Sequence, residues 1–172
     1  MTRWRVVHGD ILDVPAEGIV CSANPSLNLS GGVGGAFAMR YGRAIQDHLH
    51  GYLREHDLRT IAPGEAVLMP PCGAPYVAVA HAVAIDVFYE ARADWIVAAY
   101  RGAFEQLASR GCRSIVAACL GCGYGRCAPA EFGSALARLL EGPVIAVEDV
   151  AFVTTSDAVV SEVARVLDTI GS

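Results

Sequence analysis

Gly9-Asp10-Ile11 stands where an opening apolar run, Trp4 to His8, gives out. Ligand crevices of open α/β sheets lie at the carboxyl ends of strands, so a carboxylate there can accept from a ligand amino group such as that of adenine. The same Gly-Asp pair also suits a turn or a helix cap. Further on, Ser30-Gly31-Gly32-Val33-Gly34-Gly35 runs directly into Ala36-Phe37-Ala38-Met39-Arg40-Tyr41. Glycines admit a ligand close to the backbone, and the unpaired N–H groups and positive dipole end of a following helix attract phosphate. A site of this kind holds an anion with amides rather than with a basic side chain.

A second glycine loop, Gly121-Cys122-Gly123-Tyr124-Gly125, follows an apolar run ending at Leu120 and precedes a helical segment opening near Pro129. It can close on the same diphosphate from the other side, with Tyr124 against a sugar. Between the first two clusters, Cys21-Ser22-Ala23-Asn24-Pro25 places an Asn at a strand end. Its amide can donate to and accept from a ribose hydroxyl or orient a water, while a turn before Pro25 is the stronger reading of that residue in isolation. Neither glycine loop contains Gly-Lys-Ser/Thr, which excludes a Walker-type nucleotidase. Nor does either follow the first strand as Gly-x-Gly-x-x-Gly with an acid about 20 residues on, which speaks against a dinucleotide-binding dehydrogenase.

The elements that must position these residues alternate between strand-length apolar runs and segments of helical period, the pattern of βαβ units around a mostly parallel sheet. Strands are expected over Trp4 to His8, Gly18 to Ser22, Ala66 to Met69, Tyr76 to Val83, Ser114 to Leu120, and Val144 to Val153 with an irregularity at Glu148-Asp149. Helices are expected over Val33 to Leu53, Arg92 to Ser109, Pro129 to Leu140 and Ser156 to Ile170. Pro129 suits a first turn, Glu131 the N-terminal dipole, and Ser156 and Asp157 a cap. His56 to Gly64 and Pro70 to Pro75 gather Gly, Pro and charge and read as loops.

At 172 residues, 53% hydrophobic and 18% charged, the chain has the size and composition of one α/β domain over residues 1–172. No apolar run reaches the roughly 20 residues of a membrane span. Thirteen basic against eighteen acidic residues give a net charge of −5 with no basic block, which disfavours coating of nucleic acid. The N-terminus lacks the features of a signal peptide, so a cytoplasmic location is expected. Six cysteines in a chain with its own core read as free thiols rather than a disulfide framework. Cys119-x-x-Cys122 with Cys127 nearby resembles half of a zinc or redox site, yet no second Cys-x-x-Cys and no His at finger spacing completes it, and no metal is expected. Cys122 beside a helix start has surroundings that can lower a thiol pKa, although filling small space beside the backbone is its favoured role. His81 reads as a hydrogen-bonded core residue, and His48, His50 and His56 have no partner at metal spacing.

Taken in order and spacing, Gly9-Asp10-Ile11, Cys21-Ser22-Ala23-Asn24, Gly31-Gly32-Val33-Gly34-Gly35-Ala36 and Gly121 to Gly125 resemble the motifs of the macrodomain family, which binds ADP-ribose. The resemblance spans nearly the whole chain and implies a three-layer α/β/α fold around a mixed, mostly parallel sheet. By the same resemblance, Asp10 binds the adenine amino group with Ile11 beside it, and Asn24 holds the distal ribose. Ser30, Gly31, Gly32, Val33 and Gly34 cradle one side of the diphosphate, and Gly121, Cys122, Gly123, Tyr124 and Gly125 close the other.

Several positions depart from the family pattern. Many members read Asn-Ala-Ala-Asn where this chain has Cys21-Ser22-Ala23-Asn24, so only the second Asn is kept. One hydrolytic class carries an Asp after the Val, where this chain has Gly34. Viral macrodomains also lack that Asp and still hydrolyse, with an Asn matching Asn24 and a substrate phosphate positioning the water. No Lys matches the nucleophile of a glycohydrolase class, since Phe37 and Met39 stand in that region, and the consecutive glutamates of poly(ADP-ribose) glycohydrolases are absent. The last strand often offers an aromatic ring to adenine; here Thr154 matches, with Phe152 as another source of packing. The resemblance therefore implies an ADP-ribose site that hydrolyses mono-ADP-ribosyl or related derivatives with Asn24 as its catalytic residue, or alternatively a non-catalytic reader. The expected partner is ADP-ribose or an ADP-ribosylated macromolecule, without cofactor or membrane, and a monomer is favoured.

Overall fold

The short Val-, Ile- and Ala-rich runs become strands, and the segments of helical period become helices, in the computed structural model, which describes residues 1–143 and 145–171. In chain order these are β1 (Arg3–His8), β2 (Gly18–Ala23), α1 (Gly32–Tyr41), α2 (Ala44–Glu55), β3 (Ala66–Met69), β4 (Ala78–Val83), α3 (Ala93–Ser109), β5 (Ser114–Ala118), α4 (Pro129–Leu140), β6 (Asp149–Thr154) and α5 (Asp157–Ile170). A 3-10 turn, Ile11–Asp13, follows β1. The strands form one sheet in the order β1-β6-β5-β2-β4-β3. Only the edge pair β3–β4 is antiparallel; every other pair is parallel.

Each face of the sheet buries its own layer. Alternate strand residues such as Val20, Ala80, Ile115, Val150 and Phe152 pack under α3, α4 and α5, in one cluster with Tyr100, Phe104, Phe132 and Val163. The intervening positions, among them Ile19, Cys21, Val79, Val116 and Val153, pack under α1 and α2 with Phe37, Ile45 and Leu49. This period of two, with both sets buried, is what a central parallel strand requires. The expected three-layer α/β/α fold with a mixed, mostly parallel sheet is the observed one.

Boundaries depart from the sequence expectation where local geometry intervenes. The single helix expected over Val33 to Leu53 is two, because Gly42 at φ +93° ends α1, its N–H donating to the Ala38 carbonyl at 3.0 Å. β6 starts at Asp149, since the amides of Glu148 and Asp149 both donate to the Arg113 carbonyl, at 2.8 and 3.1 Å. That is the irregularity expected at this pair; Val144, the expected start of the strand, lies outside the described residues. β5 ends at Ala118 and β4 begins at Ala78, each two residues short of expectation. Ser156 caps α5 by accepting from the Val159 amide at 3.3 Å, and Glu131 accepts from the Ala128 amide at 3.1 Å at the start of α4. Among the described residues no helix is long and apolar enough to cross a membrane.

Candidate functional site

The five parallel strands all end on one side of the sheet, and a cleft of about 850 Å³ opens there. Every one of those strands contributes to its wall: Gly9 and Asp10 after β1, Ser22 to Asn24 at the end of β2, Ala82 and Ala84 at the end of β4, Ala118 to Leu120 at the end of β5, and Val153 and Thr154 on β6. Asp10, Ile11, Asn24, Ser30 to Gly34, Gly121 to Gly125 and Thr154, expected from the sequence to share one site, meet there; Gly35 and Phe152 are not among the residues lining it. Its volume falls within the range of about 300–1,000 Å³ typical of small-molecule sites.

Asp10 makes the cap that the sequence suggested and also stands on the cleft wall. Its Oδ1 accepts from the Leu12 amide at 2.9 Å, capping the 3-10 turn, while its side chain remains about half exposed at the cleft wall. Arg40, on α1, places Nη2 3.6 Å from Asp10 Oδ2 and donates from Nη1 to Asp13 Oδ1 at 2.8 Å. The guanidinium thus ties the first turn of the site to the helix behind the glycine loop.

Asn24 organises a tight loop. Its Oδ1 accepts from Ser26 Oγ and from the Asn28 amide, both at 3.0 Å, and its Nδ2 donates to the Asn28 carbonyl at 2.9 Å. The turn reading of Asn24 is the observed one, and it leaves one amide proton of Nδ2 unused by these bonds. Two α2 residues one helical turn apart fasten the same loop. Buried Gln46 accepts from the Leu29 amide at 2.7 Å and donates to the Leu27 carbonyl at 2.8 Å, and His50 Nε2 lies 2.9 Å from Asn28 Oδ1. Residues 27–29 lead directly into Ser30, so α2 sets the approach to the first glycine loop.

In that loop Gly31 precedes the first turn of α1 and Gly32 sits at φ +57°, a left-handed conformation costly to other residues. Tyr124, reaching from the second loop, covers both: a Cβ on Gly31 would lie 2.7 Å from its hydroxyl, and one on Gly32 3.7 Å from its ring. The two loops therefore touch across the cleft. Gly121, at φ +79°, turns the chain out of β5, Gly125 packs back onto its carbonyl, and Gly123 faces open space. Tyr100 on α3 anchors this turn from beneath, its hydroxyl donating to the Ala118 carbonyl at 2.6 Å and accepting from the Leu120 amide at 3.1 Å. Arg126 also lines the cleft.

One sequence expectation, that of a hydrogen-bonded His81, is corrected here, and two of the alternatives raised from the sequence, Phe152 at the ligand and an acidified Cys122, do not hold. Phe152 cannot pack on a ligand, because it faces the opposite side of the sheet and stacks on Trp4 at 5.9 Å; Val153 and Thr154 line the cleft instead. Thr154 Oγ1 accepts from the Ser156 amide at 3.1 Å. Cys122 is not the acidified thiol: contact with Cys127 and burial push it up, whereas the same contact draws Cys127 down. His81 is a core residue but not a hydrogen-bonded one, as neither ring nitrogen has a partner among the described residues and burial lowers its pKa to about 4. No group of His, Cys, Asp and Glu among the described residues is arranged to hold a metal ion.

The Macro domain family model matches residues 20–135, more than half of the chain. The chain belongs to the macro domain family. Solved macro domains share its fold: that of Oceanobacillus iheyensis with ADP superimposes with a TM-score of 0.84 at 21% identity, covering 96% of this chain and 90% of that one. A mutant of the same protein with ADPR gives 0.81 at 21% identity over 96% and 91%. The Trypanosoma brucei macrodomain in complex with ADP gives 0.73 at 22% identity over 95% and 68%. An uncharacterized protein of Thermoplasma volcanium is 40% identical over 62 residues, which span 36% of this chain and 33% of the relative's length.

Sequence reasoning missed the residues that support this macro domain's cleft from outside its motifs. Gln46 and His50 carry only a helical i, i+4 spacing, and Tyr100 is one aromatic among many apolar α3 residues. Tyr89 also lines the cleft, on a loop where Asp86 Oδ1 accepts from the Phe88 and Glu90 amides at 2.8 and 3.0 Å. Asp86 before an aromatic pair was the available signal for that turn.

Proposed function

We propose that residues 1–172 form one macro domain whose cleft binds ADP-ribose, and that it hydrolyses mono-ADP-ribosyl or related ADP-ribose derivatives. The observation that carries this reading is the convergence of Asp10 and both glycine loops on one cleft. Adenine lies beside Ile11 and Thr154 with its amino group donating to Asp10. Amides of residues 30–34 and 121–125 hold the diphosphate, and the remaining amide proton of Asn24 meets the distal ribose. ADP or ADPR in the O. iheyensis and T. brucei macrodomains supports this choice of ligand.

On a mono-ADP-ribosylated acceptor, water adds to the anomeric carbon of the distal ribose, the bond to the acceptor breaks, and a proton from the water passes to the departing acceptor; on O-acetyl-ADP-ribose, water adds to the acetyl carbon, acetate leaves and the ribose oxygen takes the proton. A lysine nucleophile is excluded, because all thirteen basic residues are Arg. Gly34 supplies no acid, so Asn24 and a phosphate of the substrate position the water. A second reading, a non-catalytic reader, is favoured by one observation: Asp10, assigned to adenine, is the sole carboxylate among the described residues lining the cleft.

Incubation with mono-ADP-ribosylated proteins and nucleic acids and with O-acetyl-ADP-ribose, with Asn24→Ala as control, separates the two. Release of ADP-ribose that Asn24→Ala abolishes, with the fold retained, establishes the hydrolase; tight binding without release establishes the reader. Calorimetry in which AMP or NAD binds as well as ADP-ribose would remove Asn24 from the distal ribose and overturn both.

A further inference from the structure

Cys122 and Cys127 meet at the second glycine loop, where contact between the two thiols raises Cys122 and lowers Cys127 while Cys127 Sγ donates to the Ala128 carbonyl at 3.6 Å. The backbone holds the same closure, with the Cys127 amide donating to the Gly121 carbonyl at 3.0 Å. Cys127 Cβ lies 3.4 Å from where a Cβ on Gly121 would stand. Both cysteines are half-buried, whereas Cys21, Cys112 and Cys119 are buried. Cys119, which forms the Cys-x-x-Cys spacing with Cys122, is buried and directs Sγ toward the Val153 carbonyl at 3.9 Å. The pair joined in space is therefore not the pair that the sequence spacing suggests.

We propose that Cys122 and Cys127 are a redox-modification site, converted by peroxide into a disulfide that reshapes the cleft loop and reopened by thiol reductants. The contact with Cys122 favours the thiolate of Cys127, which makes Cys127 the attacking sulfur, while burial raises Cys119 to about 12 and keeps it inert. The Cys127 thiolate attacks one peroxide oxygen and becomes a sulfenic acid, the other oxygen leaving as hydroxide that takes up a proton. Cys122 then displaces the sulfenic hydroxyl as water. The two thiols lose two hydrogens and two electrons in all, and one peroxide becomes two waters. A dithiol reverses the reaction by exchange.

Closing the bond brings the sulfurs to about 2.05 Å. Cys122 lines the cleft and Cys127 does not, so this changes the shape of the loop assigned to the diphosphate. The effect on ligand rests on the ADP-ribose reading; the disulfide does not.

Trypsin cuts after Arg113, Arg126 and Arg138, leaving Cys122 on peptide 114–126 and Cys127 on peptide 127–138. The folded protein is treated with stoichiometric hydrogen peroxide, alkylated, digested without reductant and examined by mass spectrometry. The expected product is a cross-link between these peptides, two hydrogens lighter than their sum, with fragmentation placing it at Cys122 and dithiothreitol removing it. Calorimetry on the oxidised protein is expected to show ADP-ribose affinity reduced at least about tenfold, restored by dithiothreitol. Cys127→Ser binds ADP-ribose as the dithiol form of the protein does and loses peroxide sensitivity. No cross-link, one through Cys119, or oxidation only to sulfinic acid overturns the site. Unchanged affinity in fully cross-linked protein overturns the reshaping of the loop. Failure of the reduced protein to bind ADP-ribose counts against the ligand reading alone, because the cross-link map still decides the thiol pair.

Discussion

Asp10 works through both carboxylate oxygens, one capping the turn after β1 and the other beside Arg40. Asp10→Ala is expected to weaken ADP-ribose binding roughly tenfold to a hundredfold, the loss of a charge-assisted hydrogen bond of about 1.5–3 kcal/mol. It also removes a cap, and Asp10→Asn, which keeps an acceptor for the Leu12 amide, separates stability from binding. Calorimetry with ADP-ribose and with ribose phosphate, which lacks adenine, checks the assignment: only ADP-ribose should weaken, and unchanged affinity in a folded variant would take Asp10 out of the site. The diphosphate, by contrast, is assigned to backbone. Gly32→Glu, adding bulk, charge and a left-handed strain of about 1–2 kcal/mol, is expected to abolish binding, whereas Arg126→Ala should cost far less. Arg40 is already engaged with Asp13, which leaves it poorly placed as a phosphate clamp. Loss of binding in Arg126→Ala with binding intact in Gly32→Glu would replace the amide cradle by a charge clamp.

α2 belongs to the cleft although none of its residues lines it. Gln46 satisfies two backbone groups of residues 27–29 from a buried position, so Gln46→Leu leaves a donor and an acceptor unpaired. The expected cost is about 1–3 kcal/mol of stability per unsatisfied group, together with weaker ADP-ribose binding as the approach to Ser30 loosens. Chemical denaturation and calorimetry on one preparation measure both. A stable variant with unchanged affinity would show that the glycine loop keeps its shape without α2. Separating α1 from α2 makes this possible: an unbroken helix would carry residues 46 and 50 along the α1 axis rather than back against the Asn24 loop, and Gly42 provides the break.

At the scale of the whole molecule, His81 faces the layer under α1 and α2, in register with Cys21 on β2 and Val67 on β3. Burial holds its imidazole neutral, with a pKa near 4 against an ordinary 6.5. Below pH 6.5 the unfolded chain takes up a proton that the folded chain refuses until about pH 4. Stability from this group is therefore complete above pH 6.5 and falls as the pH drops through that window, by about 2 kcal/mol at pH 5. His81→Leu should remove this acid sensitivity and relieve two nitrogens that have no partner among the described residues. Urea denaturation at pH 7 and pH 5 tests it, and equal losses in variant and wild type would assign the acid response elsewhere.

How far the sequence reached follows from how local each cause is. The strand–helix alternation, the two glycine loops, Asp10 and Asn24 depend on runs of a few residues, since hydrophobic period, glycine content and turn chemistry act over one or two turns of chain. These determined the layered α/β fold and marked Asp10, Asn24 and both glycine loops, which the structure brings to one cleft, while Thr154 was marked only by the family resemblance. What only the tertiary structure decided was every contact between residues distant in sequence. Gln46 reaches the carbonyl of Leu27, Tyr100 holds Ala118, Tyr124 covers Gly31, and Cys122 chooses Cys127 over Cys119. Side-chain direction decided the rest. Phe152 and Val153 are neighbours on one strand, yet the alternation of the β-strand sends one into the core and the other to the cleft, and which face holds the ligand depends on where α1, α2 and the loops have packed.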